Sequence, residues 1–218
     1  MDTVPRHQCL IYKGSPSRQL PALAALVRRK LDENVRCLYL NSPVMVAGIR
    51  CYLAAAGIDV AYELEKTSLV LSSNQGHLIK GRFDVDRMMQ TLEEALCHAL
   101  NDGYQGLWAT GDMTWELGPE NNFSKLLEYE WRLEEFFRTH PALSGICQYH
   151  ADTLPRNLLR QGLITHPSLF LNETLSRINP HYLRSGSNWE QAAVNPELES
   201  IINRLCHYEN TDLTTGSQ

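Results

Sequence analysis

The sequence predicts an α/β fold in which a mainly parallel central sheet carries helices on both faces. Two observations point there. Short apolar runs alternate with amphipathic stretches of ten or more residues, the pattern of strands joined by helical crossovers. The run Gly106-Leu107-Trp108-Ala109-Thr110 is apolar at consecutive positions and bounded by glycine, as in a strand covered on both sides.

Each element can be placed in order. Strands are expected over residues 9–12, 35–40, 69–71, 106–110, 143–149 and 168–175. The first helix carries Leu20, Leu23, Ala24, Val27 and Leu31 on one side and Arg28, Arg29 and Lys30 at its end, where cations complement the dipole. Ser42-Pro43 opens a second helix that Gly57 closes. Asp84 caps a third, with Val85, Met88, Met89, Leu92, Leu96 and Ala99 on its buried face. After a polar loop holding Asp112, Met113, Thr114 and Trp115, Pro119 begins a helix whose stripe is Phe123, Leu126, Leu127, Leu133 and Phe137. Glu130 lies in that stripe, so it needs a partner inside the protein. A helix is expected over 155–163, and another from Pro196 to about Tyr208.

The chain divides into one α/β domain over 1–183, a linker over 184–194 and a C-terminal helix with a frayed tail over 195–218. The last helix has a narrow apolar stripe that either folds back on the domain or pairs with a second copy; a homodimer is the expectation.

Composition limits the function classes. The 218 residues are 43% hydrophobic and 21% charged, with a net charge of -5. No long Lys/Arg cluster supports direct nucleic-acid binding. No apolar run is long enough to span a membrane, and the first residues lack the pattern of a secretory signal. The six cysteines form no CxxC pair and read as reduced thiols of a cytoplasmic protein.

Three chemistries compete. The first strand–helix junction, Gly14-Ser15-Pro16-Ser17-Arg18, stands where a phosphate loop would lie, but the Gly-Lys-Ser/Thr end is missing. Residues Gly14, Ser15, Ser17 and Arg18 are thus a degenerate phosphate loop or a plain turn. His7 and Cys9 share one face of a strand, as do Cys147 and Tyr149, with His150 and His166 beyond them. These are metal-ligand types without zinc-template spacing, so the metal question stays open. A cysteine- or carboxylate-dependent hydrolase would use Cys147, or Glu130 with Asp112, although no nucleophile elbow surrounds Cys147.

Five motifs in order resemble the MEDS domain, the methanogen/methylotroph DcmR sensory domain. They are His7-Gln8-Cys9-Leu10-Ile11-Tyr12, Gly111-Asp112-Met113-Thr114-Trp115, Glu128-Tyr129-Glu130, Ile146-Cys147-Gln148-Tyr149 and His166-Pro167, within roughly residues 6–183. The resemblance implies a three-layer RecA-like sandwich related to RecA/KaiC-like ATPases, and a non-enzymatic sensor of a small molecule such as a one-carbon or hydrocarbon derivative. It implies a pocket of His7, Cys9, Tyr12, Asp112, Met113, Trp115, Glu130, Cys147, Tyr149 and His166, near the carboxyl ends of the strands, where open parallel sheets bind ligands. No cofactor is expected. Signalling, including transcription regulation, would run through a separate regulatory protein. A nucleotide-binding protein and a hydrolase remain the alternatives.

Overall fold

The computed structural model describes residues 6–117, 123–172, 175–184 and 195–206. Its elements run β1 (His7–Tyr12), α1 (Leu20–Asp32), β2 (Arg36–Leu40), α2 (Pro43–Ala55), α3 (Val60–Glu65), β3 (Leu69–Ser72), β4 (Leu78–Ile79), β5 (Arg82–Phe83), α4 (Val85–Asn101) and β6 (Leu107–Asp112). There follow α5 (Met113–Glu116), a 3-10 turn (Phe123–Lys125), α6 (Leu126–Thr139), β7 (Leu143–His150), α7 (Arg156–Thr165), β8 (Ser168–Asn172), β9 (Leu175–Ile178) and α8 (Pro196–Cys206).

Seven strands form the main sheet in the order β3-β2-β6-β7-β1-β8-β9, with β4 and β5 a separate hairpin. All neighbours in the main sheet are parallel except β8 and β9. The two faces are distinct. Leu10, Cys37, Tyr39, Trp108 and Ile146 point to the side covered by α1, α2 and α3. Cys9, Leu38, Leu40, Ala109, Cys147 and Tyr149 point to the side covered by α4, α6, α7 and α8. The protein is therefore the expected three-layer α/β sandwich.

The structure departs from the sequence reading at a few local places. The polar loop after β6 is a one-turn helix, α5, because Asp112 Oδ1 accepts the amides of Thr114 and Trp115 at 2.9 and 3.3 Å. The strand expected over 168–175 is a hairpin of β8 and β9, its pairing interrupted between Phe170 and Asn172. Helix α3 was not legible: it is six residues long, buries only Val60 and depends on an Asp59 cap to Tyr62 N at 3.1 Å. The expected start of the long helix at Pro119, most of the linker and the tail from 207 onward lie outside the described residues.

The C-terminal helix folds back. In α8, Leu198 and Ile202 are buried in the same core as α7, and Glu199 pairs with Arg156 and Arg160 of α7. Its apolar stripe is used inside the chain.

Candidate functional site

Parallel pairing of β1 with β7 sets His7 against Gly145 and Cys9 against Cys147. Residues two apart on a strand share a face, so His7, Cys9, Cys147 and Tyr149 all look towards α6 and α7. Glu130, on the inner face of α6, meets them with no exposure. His166 arrives from the end of α7, also fully buried. Close packing depends on Gly162: a Cβ there would lie 2.7 Å from the Tyr149 ring.

The result is an enclosed cluster of four groups. His7 Nε2 and His166 Nε2 each stand 3.5 Å from Glu130 Oε2, and Cys147 Sγ stands 3.5 Å from His7 Nε2. The Tyr149 hydroxyl donates to Glu130 Oε1. The far nitrogens are engaged as well. His7 Nδ1 lies 2.8 Å from Glu134 Oε2, and the Tyr182 hydroxyl donates to Glu134 Oε1 at 3.1 Å. His166 Nδ1 lies 2.7 Å from the Gly162 carbonyl, so Nδ1 carries the proton and Nε2 presents a lone pair. Glu130 Oε2 and His166 Nε2 have no hydrogen-bond partner among the described residues. The four ligand atoms lie within 4.8 Å of one another, an arrangement that could hold a metal ion.

The charge states follow from these neighbours. Burial alone would raise Glu130, but the His7 imidazole and the Tyr149 hydroxyl hold it below the ordinary carboxylate range. Burial alone would lower His7, and the Glu130 and Glu134 carboxylates reverse that and raise it. His166 is lowered to about 3 by burial and by His7. Burial, then the Glu130 charge, pushes the thiols of Cys9 and Cys147 well up, so both are held as neutral thiols.

A second group sits at the carboxyl ends of β1, β6 and β7. The Tyr12 hydroxyl donates to Asp112 Oδ2 at 2.6 Å, and the Tyr12 ring stacks on His150. His150 Nε2 donates to the Gly14 carbonyl at 2.9 Å, and Gly14 N donates to Asp152 Oδ2 at 2.6 Å. In the turn, Ser15 and Ser17 bond to each other through their hydroxyls at 2.8 Å, and the Arg18 guanidinium stands over Gly14. Met113 is buried in the core and Trp115 packs edge-on against His77. The ten residues read as one pocket are thus two groups. His7, Cys9, Glu130, Cys147, Tyr149 and His166 converge in the interior; Tyr12 and Asp112 meet at the sheet edge, with Met113 and Trp115 following them in α5.

Beside the interior cluster, and sharing Cys147 with it, lies a cavity of about 20 Å³ whose lining includes Leu40, Ala109, Gly111, Glu116, Tyr129 and Cys147. Glu116 reaches it because Gly111 has no side chain; a Cβ there would collide with Glu116 Oε1. Glu116 Oε2 is buried with no hydrogen-bond partner among the described residues. Burial and then the Glu130 and Asp112 charges push Glu116 well above the usual range.

Residues 6–167 match the family model described as the methanogen/methylotroph, DcmR sensory domain (MEDS). The chain belongs to the MEDS family. No curated protein matches it.

Four further residues of this MEDS domain escaped the sequence reading. Glu134 had a readable signal, since it lies one helical turn beyond Glu130 on the same face. Asp152, two residues past His150, had a weaker one. Glu116 and Gly162 had none: each matters through a tertiary contact, with Gly111 in one case and Tyr149 in the other.

Proposed function

We propose that this MEDS domain binds one very small molecule in its interior beside Cys147 and reports occupancy to a separate signalling or regulatory protein. The sensory character comes from the family. The ligand class rests on one observation, the cavity of about 20 Å³ bordered by Ala109, Glu116, Tyr129 and Cys147. A space of that size holds about one water-sized group. Its walls are mostly apolar with a few convergent polar atoms, the usual make-up of a small-molecule site. A one-carbon compound such as methanol or a halomethane suits it better than a larger ligand. Tyr129, Glu130 and Leu133 all lie on α6, so occupancy bears on that helix.

The alternatives have less support. A phosphate at Gly14 must displace the Asp152 carboxylate that accepts the Gly14 amide, and that acid repels an anion. Any relation to RecA/KaiC-like ATPases is therefore one of descent in this proposal, without nucleotide turnover. A cysteine hydrolase needs a thiolate, whereas burial holds the Cys147 thiol neutral.

Thermal-shift titration with methanol, chloromethane, butanol and ATP tests the proposal. The one-carbon compounds stabilise the wild type and butanol and ATP do not. Ala109→Leu, which fills the cavity, removes the response while leaving the fold intact. An equal response to methanol in wild type and Ala109→Leu contradicts it.

A further inference from the structure

The interior cluster is more than a polar wall. Four chain segments place four different donor atoms at one point: His7 Nε2 from β1, Glu130 Oε2 from α6, Cys147 Sγ from β7 and His166 Nε2 after α7. We infer that these four atoms form a buried site for one divalent ion of the zinc class.

Three independent observations carry the inference. The first is spacing. A tetrahedral ion bound at zinc distances sets its ligand atoms about 3.3–3.8 Å apart. Three of the six separations here, His7 to Glu130, His166 to Glu130 and His7 to Cys147, are 3.5 Å, and all six are within 4.8 Å, so a bound ion draws the set slightly together. At 3.5 Å the two nitrogen–oxygen separations are too long for strong hydrogen bonds, and all three fit atoms facing a common ion.

The second is orientation. Metal-binding imidazoles generally use their other nitrogen on a carboxylate or a backbone carbonyl, which fixes the ring and aims the lone pair. Both arrangements occur here: His7 Nδ1 is held by Glu134 at 2.8 Å and His166 Nδ1 by the Gly162 carbonyl at 2.7 Å. Glu134 is itself held by Tyr182, and Glu130 Oε1 by Tyr149, which leaves Oε2 as the ligand oxygen.

The third is accounting of polar atoms. Glu130 Oε2 and His166 Nε2 are enclosed without a hydrogen-bond partner among the described residues. Buried polar atoms are seldom left so, and each such atom calls for an explanation. One ion satisfies both at once.

Donor chemistry narrows the ion. Two imidazoles, a thiolate and one carboxylate suit zinc or a neighbouring borderline ion; calcium and magnesium take oxygen sets. Coordination replaces the thiol proton of Cys147, since the bound form is the thiolate. Cys147 is then a ligand on one side and a wall of the small cavity on the other. The ion site does not depend on the cavity's ligand, and each can fail without the other.

Cobalt(II) alone is the probe. The full chain, stripped with chelator in denaturant and refolded with cobalt, should take up one equivalent. It should show the visible bands of four-coordinate cobalt and a near-ultraviolet thiolate-to-cobalt band. Zinc should displace the cobalt. Cys9→Ser and Cys97→Ser should keep the thiolate band and Cys147→Ser should lose it. Glu134→Gln, outside the ligand set, should weaken affinity 10–100-fold while the band remains. Circular dichroism checks the fold of each variant. If Cys147→Ser does not fold, Glu134→Gln decides, and an unchanged affinity overturns the inference. Absence of a thiolate band in the wild type, or its survival in folded Cys147→Ser, also overturns it.

Discussion

Glu134 holds His7 by its Nδ1 at 2.8 Å and so turns the Nε2 atom of His7 towards Glu130 and Cys147. One turn earlier on the same helix, Glu130 faces both His7 and His166. Two acids of α6 thus organise the interior, and the consequences are measurable.

Glu130→Gln should cost about 3–5 kcal/mol, the range for removing one partner of a buried ionic group. Gln keeps the volume and the contact with Tyr149 but not the charge that His7 and His166 face. Urea denaturation checks this; a loss below about 1 kcal/mol would mean that the carboxylate is a minor part of the cluster.

This is also where the sequence was most informative. Glu130 stood out as an acid inside an apolar helical stripe, and it is indeed fully buried. The two-residue spacings of His7 with Cys9 and of Cys147 with Tyr149 give each pair a common face from local pattern alone. What could not be read was depth. His7 starts its strand, opposite Gly145, so the cluster lies beneath α6 and α7 rather than at the carboxyl edge with Tyr12 and Asp112. Strand register depends on pairing with a distant segment, and no local pattern reports it. Likewise the stripe of α8 was legible but not its partner, because a free face and a docked face have the same periodicity.

Glu116 gives a pH dependence of definite sign. Its folded pKa is raised, so the native state holds a proton that the unfolded chain releases above about pH 4.3. The stability this group contributes is present below the unfolded pKa and is lost as pH rises through the folded one. Glu116→Gln removes that dependence. The variant should gain on the wild type as pH rises, by at most about 1.4 kcal/mol per pH unit. Chemical denaturation at several pH values reads the difference; a constant difference between about pH 5 and pH 9 would count against a protonated Glu116.

The Gly14 turn should not support catalysis. Asp152 occupies its amide and no Lys completes the loop. Wild type and Asp152→Ala should both lack magnesium-dependent ATP turnover, because removing the acid does not restore the charge that holds the phosphates. A turnover that vanishes in Arg18→Ala would restore the nucleotide reading.

Removing residues from Asn195 onward should lower stability and leave the number of chains per assembly unchanged. Leu198 and Ile202 are buried against the core, and each such side chain contributes about 1.5–3 kcal/mol. Light scattering and denaturation together test this. A dimer that becomes monomeric at unchanged stability would make α8 an interface instead.

The central claim is that the ligand enters the interior beside Cys147. Methyl NMR tests it most directly. Ala109 and Leu133 line the cavity from the same side of the sheet. On titration with methanol, their methyl signals should shift and saturate, and the shifts should disappear for Leu133 in Ala109→Leu. Unmoved signals at both positions, with saturable shifts confined to Tyr12, Gly14 and His150, would contradict the account.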